Sequence, residues 1–455
     1  MEGGFEDLLS SSITAILVKG PPGTGKTTLA LELLRIHGRG IYVSTRVTEE
    51  KLERQYPYVK ELMRRGKLIE AFPKPKKVES LARFKDLRFG RTEEIVKCIL
   101  EEIIKLSNPL IILDSWDALA KELDLKERLR AEKTLVAIAE SNKAKLLFIS
   151  EEPHLTTTDY LVDAVITLKD EEIEGRRIRR IEWNKLRGIA IPQKRNLFTL
   201  HEGRFTVLQT IETGKPREVK AKPFKPIKHT EMHYSLGSED LDRLIGRVPK
   251  GSVVLLEMGR GVSLRHYHVL LDIMQLNFTS QDGCVLVIPS GSMPPHVVKD
   301  HLIEYLPKNQ LERRLRVGSY EKYEDPCSFK LDTKSISKNF NIICREVKSL
   351  KNGNPCAYFI GVDILEIIHG AEATIRFFLN LSRRVRYDRD LLIIVARHAV
   401  KGLNELSALS DVHCKLELVE GALVSYTIKP ASQMVYHIGY DYSRGYPQVK
   451  ITPIV

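Results

Sequence analysis

The sequence predicts an α/β protein built from two tandem domains, each a central, largely parallel sheet flanked by helices. Three observations carry this expectation. Short apolar runs alternate with longer helical patterns along the whole chain. The order of these runs is repeated in the two halves, as an internal duplication would produce. In the first half, a strand-like run opens directly onto a glycine-rich loop and then a helix, Ala15–Val18 to Thr27–His37.

The predicted strands of the first half are Ala15–Val18, Gly40–Thr45, Leu110–Asp114, Leu146–Ser150 and Ala164–Leu168. Those of the second are Val253–Glu257, Cys284–Pro289, Tyr358–Asp363, Leu391–Val395 and Cys414–Leu418. One strand of each half ends in aspartate, Asp114 and Asp363, and each half closes in hairpins. Between the halves, residues 211–232 carry six lysines or arginines and Pro216, Pro223 and Pro226, with little apolar periodicity. The expected organisation is therefore a domain over 1–210, a basic linker over 211–232 and a second domain over 233–455.

A chain of 455 residues exceeds what one core usually serves. With 43 % hydrophobic and 29 % charged residues it reads as globular rather than disordered. No apolar run reaches transmembrane length, and the acidic start Glu2–Asp7 lacks a signal-peptide n-region. The six cysteines are scattered without metal-type spacing, which fits free thiols in a reducing cytosol, so a cytoplasmic location is expected. The formal charge of +12 suits nucleic acid or an acidic protein partner, and suits an ordinary basic surface equally well.

The loop Gly20-Pro21-Pro22-Gly23-Thr24-Gly25-Lys26-Thr27 has the spacing of a phosphate-binding P-loop in its required strand–loop–helix setting. Its glycines let backbone N–H groups converge on phosphates, and the helix N-terminus adds its dipole. Lys26 is the point charge for the β- and γ-phosphates, and the Thr27 hydroxyl is a Mg²⁺ ligand. Thr28 supports either the α-phosphate or the helix start. Asp114, at the end of an apolar strand, is the second metal-side group, holding Mg²⁺ at the sheet edge. A nucleoside triphosphate with Mg²⁺ is the expected ligand.

These residues resemble the RecA superfamily, in the KaiC-like branch that includes GvpD. In the first half the resemblance rests on Gly20–Thr28, Gly40–Thr45, Leu113–Leu119, Leu161–Leu168 and Asn184–Gly188. In the second it rests on Leu236–Ile245, Val248–Leu256 and Asp441–Pro447. The glycine loop, followed by Tyr42–Arg46 and Gln55–Pro57, is similar to the GvpD-type P-loop domain. The resemblance implies tandem RecA-like folds, frequent assembly into rings, and a Lys-x-Arg-Gly element that reaches a neighbour's γ-phosphate. Lys185 and Arg187 match that element.

Two departures bear on function. KaiC-like ATPases carry paired glutamates after the second strand, where this chain has Arg46 and Val47. Arginine stays protonated and cannot act as a base. Glu49 or Glu50 could substitute, or be first-turn acids of the next helix; Glu151 and Glu152, at a strand end, are the other candidates, and Glu151 is taken as catalytic beside Lys26 and Asp114. In the second half the equivalent loop reads Gly259-Arg260-Gly261-Val-Ser263-Leu264-Arg265, with Leu264 at the lysine position and Arg265 at the hydroxyl position. That domain is expected to be degenerate, with Asp363 a relic or a helix cap.

The basic clusters Phe72–Lys77 and Arg176–Arg180 read as solvated faces or as nucleic-acid contacts, and Trp116 and Trp183 as core or as adenine stackers. Through the resemblance, the expected function is a slowly hydrolysing ATPase, a nucleotide-dependent regulatory switch on a protein partner. The alternative is a DNA-binding recombination or repair accessory.

Overall fold

The computed structural model describes residues 4–44, 49–64, 68–69, 107–121, 123–210 and 219–455. Thr45–Val47, the Phe72–Lys77 cluster, Cys98 and residues 211–218 lie outside these, as do the side chains of Glu49 and Glu50. The chain divides into two compact units, one of Met1–Gln209 with Ile454–Val455 and one of Thr210–Pro453.

Among the described residues of the first unit, nine strands form one sheet: β1 (Ala15–Lys19), β2 (Gly40–Ser44), β3 (Leu68–Ile69), β4 (Leu110–Asp114), β5 (Lys145–Ser150), β6 (Ala164–Ile173), β7 (Arg176–Leu186), β8 (Arg195–Thr199) and β9 (Thr206–Val207). Their spatial order is β3-β2-β4-β5-β1-β6-β7-β8-β9. The pairings from β3 to β6 are parallel and the rest antiparallel. The central strands are apolar throughout because helices cover both faces. Alternation sorts their side chains: Ile16 and Val18 join the core of one face, Ala15 and Leu17 that of the other.

In the second unit the strands are β10 (His233–Tyr234), β11 (Val248–Pro249), β12 (Val253–Met258), β13 (Cys284–Ile288), β14 (Leu315–Ser319), β15 (Ser328–Lys330), β16 (Cys356–Gly361), β17 (Leu391–Arg397), β18 (Val412–Val419), β19 (Ala422–Lys429), β20 (Tyr436–Asp441) and β21 (Gln448–Pro453). The main sheet runs β15-β14-β13-β16-β17-β12-β18-β19-β20-β21, parallel as far as β18 and antiparallel beyond. Matching β1 with β12, β2 with β13, β4 with β16, β5 with β17 and β6 with β18 superposes one connection order on the other. Among the described strands, β15 of the main sheet and the separate β10–β11 pair have no counterpart. The expected α/β architecture of two tandem RecA-like folds is what the molecule shows.

Two sequence expectations are corrected. The run Tyr358–Asp363 does not end a strand at its aspartate: β16 stops at Gly361, and Asp363 lies in the first turn of the helix Val362–His369. The apolar run continues through Ile364 and Leu365, so hydrophobicity does not mark the change from strand to helix. The described part of the predicted linker, 219–232, is fixed on the second unit. Its backbone N–H groups bond Gly445 O (from Lys222), Tyr305 O (from Phe224) and Asn277 Oδ1 (from Ile227), and Phe224 is buried.

No described helix is long and apolar enough to cross a membrane. The five described cysteines are free thiols. Both tryptophans are core residues. Trp116 donates to Glu132 at 2.7 Å and packs edge-on against Phe148, while Trp183 donates to Asn196 at 3.0 Å. Glu132 is fully buried on the helix Leu125–Ser141, and its Oε1 also accepts from Thr158 (2.7 Å) and Arg128 (3.0 Å). It thereby fixes the chain just past Asp114. Replacing it by leucine strands three donors, and Glu132→Leu is expected to lower the unfolding free energy by about 3 kcal/mol or more in denaturant titrations.

Candidate functional site

The C-terminal ends of β2, β4, β5 and β1 line up: Ser44 pairs Asp114, Asp114 pairs Ile149, and Ser150 pairs Lys19. Everything at this edge follows from that register, since in open α/β sheets ligands bind beyond the strands' carboxyl ends.

The loop from Gly20 to Gly25 leaves β1 and enters the helix Lys26–His37. A Cβ on Gly20 would come within 2.5 Å of the Leu168 carbonyl oxygen, so the loop can pass β6 only as glycine. Gly25 caps the helix in the left-handed region (φ 96°) and, as glycine, brings no side-chain cap of its own. The positive end of the helix dipole thus points at the end of the loop, where an anion would sit. Lys26 is buried, its Nζ bonded to the Gly20 (2.6 Å) and Pro21 (2.8 Å) carbonyls. Thr24 Oγ1 closes the turn on Pro21 O at 2.8 Å. Thr27 Oγ1 donates to Asp114 Oδ2 at 2.8 Å, across 87 residues of sequence. A threonine hydroxyl and a carboxylate side by side at the edge are hard oxygen donors of the kind Mg²⁺ takes, so the residues present fit that ion.

Several neighbours escaped sequence reasoning. Tyr42 on β2 donates its phenol to the same Asp114 Oδ2. Burial first, then the Asp114 charge, pushes that phenol far above its ordinary pKa, so it remains a donor. Thr28 Oγ1 is 3.0 Å from Tyr56 OH, which places it behind the loop, on the buried side of the helix. Since Gly25 is the cap, Thr28 does not start the helix. Lys19, the last residue of β1, is buried in an ion pair with Asp159 at 3.0 Å. Arg179 is buried too and donates to the Gly23 carbonyl at 3.1 Å. Its neighbours pair across the hairpin, Arg177 with Asp170 and Arg180 with Glu171, so this basic cluster is engaged internally.

Glu151 follows β5, the strand between β1 and β4, and so stands between the loop and Asp114 in the sheet order. Its backbone N–H is held by Asp117 Oδ2 at 2.7 Å. Lys185 and Arg187 converge, but not on the loop of their own chain: Lys185 Nζ bonds the carbonyls of Asp159 (3.0 Å) and Tyr160 (3.2 Å), and Arg187 bonds Tyr160 O and Asp163. Burial and the adjacent Arg187 lower the Lys185 pKa. The Arg187 side chain is 57 % exposed.

The corresponding turn of the second unit differs in chemistry as well as sequence. Loop Gly259–Ser263 is one residue shorter than Gly20–Gly25, and its helix, Leu264–Thr279, is capped by Ser263 and His266, with Ser263 N–H on His266 Nδ1 at 2.9 Å. Glu257, at the strand end, is tied to His413 at 2.9 Å. Asp363 accepts the Gly291 N–H at 2.8 Å, a bond that orders a turn.

Residues 8–184 match the family model described as GvpD gas vesicle protein, P-loop domain. Protein GvpD2 of Halobacterium salinarum (strain NRC-1) is 26 % identical over 471 aligned positions, covering 97 % of this chain and 93 % of that protein. Protein GvpD1 of the same organism is 28 % identical over 328 positions, covering 68 % of this chain and 60 % of that protein. The resemblance to the GvpD-type P-loop domain read from the sequence is thereby upheld.

The Lys19–Asp159 pair allows a test of how the loop strand is anchored. Burial raises the Asp159 pKa, but the Thr156 N–H and Lys19 outweigh it, and the net value lies below the ordinary range. The stabilisation is therefore complete above the unfolded carboxylate value of about 3.9 and is lost as pH falls through the lower folded value. Asp159→Asn is expected to cost about 3–5 kcal/mol at pH 7 and to show a shallower fall in stability between neutral and acid pH.

Proposed function

We propose, on the premise that residues 8–184 form a GvpD-type P-loop domain, that the chain is an ATP-dependent regulatory switch acting on a protein partner. The convergence of Lys26, Thr27 and Asp114 at one sheet edge carries this reading. Loop N–H groups and Lys26 bind the triphosphate, exchanging the Gly20 and Pro21 carbonyls for phosphate oxygens at Lys26 Nζ. Thr27 and Asp114 would hold Mg²⁺, which supplies charge neutralisation at the β- and γ-phosphates. Tyr42 orients Asp114 from the far side.

Hydrolysis in this reading is slow. Arg46 and Val47 offer no base where related ATPases carry glutamates, and Glu151 is the carboxylate next in line at the edge. Lys185 and Arg187 act in trans, on a nucleotide bound by a neighbouring copy. Their contacts away from their own loop and the exposure of Arg187 support this. The second domain, without lysine or a free helix end at its loop, serves assembly or regulation. The description of the matching family model, a gas vesicle protein, favours gas vesicles as the setting.

Calorimetric titration with ATP–Mg²⁺ is expected to give one nucleotide per chain. Lys26→Ala should weaken binding about a hundredfold, roughly 2.7 kcal/mol. Two nucleotides per chain would overturn the assignment of the second domain. Arg187→Ala should leave affinity unchanged while lowering steady-state hydrolysis at concentrations where the chain assembles. Partner capture in ATP but not ADP supports the switch. Salt-sensitive binding of single-stranded DNA with stimulated hydrolysis would instead favour the DNA accessory.

A further inference from the structure

The second unit holds a cluster that the nucleotide chemistry does not use. His268 and Asp272 lie four residues apart on the helix Leu264–Thr279, hence on one face, and His301 faces them from the helix Pro295–Ile303. Each offers one ligand atom, and the three atoms lie within 4.8 Å of one another. His301 Nδ1 is 3.4 Å from Asp272 Oδ2, and the imidazole centroids of His268 and His301 are 5.0 Å apart.

We propose that His268, Asp272 and His301 form a binding site for a divalent transition metal, with Zn²⁺ the best match to the donor set. Two imidazoles and one carboxylate are the ligands this ion takes, leaving a fourth position to water or another ligand. A tetrahedral site needs ligand atoms about 3.4 Å apart at the usual bond lengths, so the observed spacing closes by small side-chain rotations.

Two further observations point to a cation. His268 Nδ1 is 3.1 Å from the Leu264 carbonyl. A carbonyl only accepts, so Nδ1 carries the proton and Nε2 keeps the lone pair, the orienting hydrogen bond typical of metal-ligating histidines. Gln275, 2 % exposed and one turn beyond Asp272, has an Oε1 with no hydrogen-bond partner. It lines the same cavity as His268 and Asp272, giving that cavity a further oxygen donor. The competing account is a simple ion pair between Asp272 and a protonated His301.

The test uses the full chain, stripped with chelator and without nucleotide. Zinc titration is expected to give one ion per chain, and Co²⁺ a visible ligand-field absorption free of thiolate charge transfer. His268→Gln and His301→Gln should each weaken zinc at least a hundredfold while leaving ATP binding unchanged. Circular dichroism and melting in chelator report whether each variant folds. Zinc should raise the melting midpoint of the wild type alone. The site is overturned if the wild type takes up no zinc at micromolar concentrations, if both variants bind as the wild type does, or if the cobalt spectrum shows thiolate ligation. The cobalt spectrum needs no variant and decides the matter even if both substitutions fail to fold.

Discussion

One carboxylate organises the first unit. Asp114 Oδ2 receives the hydroxyl of Thr27 from the loop helix and the phenol of Tyr42 from β2, so three elements distant in sequence meet on a single atom. The bond is possible only because the parallel register brings the ends of β2, β4, β5 and β1 to one line. Glu132, by gripping Trp116, keeps the segment after Asp114 from drifting. Packing below the edge and hydrogen bonding along it thus serve the same placement.

The two units show how one architecture can carry different chemistry. Their strand orders correspond, and their loops occupy equivalent places after β1 and β12. Where the first helix begins at an uncapped glycine, the second begins at a serine and histidine that bond each other. Where the first aspartate meets a threonine hydroxyl, the second orders a turn. Polar groups at the second edge are directed to one another, and its distinctive cluster lies further along the helix, at His268 and Asp272.

Much of this was legible in the sequence because it is local. Apolar runs of strand length, a glycine loop set between strand and helix, and an aspartate closing a buried strand need only neighbouring residues to be read. Lys19 with Asp159, Arg179 with Gly23, and Thr28 with Tyr56 are pairings made by the fold across many residues, and no spacing rule announces them. A lysine closing the apolar run of β1 was the one available hint, since a charge there must be paired if buried. Asp363 was misplaced for a local reason, its strand and helix being joined by an unbroken apolar run. Trp116 and Trp183 beside the motifs were ambiguous until their indole N–H partners were known.

The capped helix of the second unit also limits what a single substitution can do there. A lysine placed at Leu264 would not by itself create a phosphate site, because the loop is a residue shorter than Gly20–Gly25 and Ser263 and His266 already engage each other at the helix start. Several changes would have to arrive together, each useless alone. The helix start is thereby buffered: no single substitution in this loop supplies a lysine, the missing residue and a released helix end together.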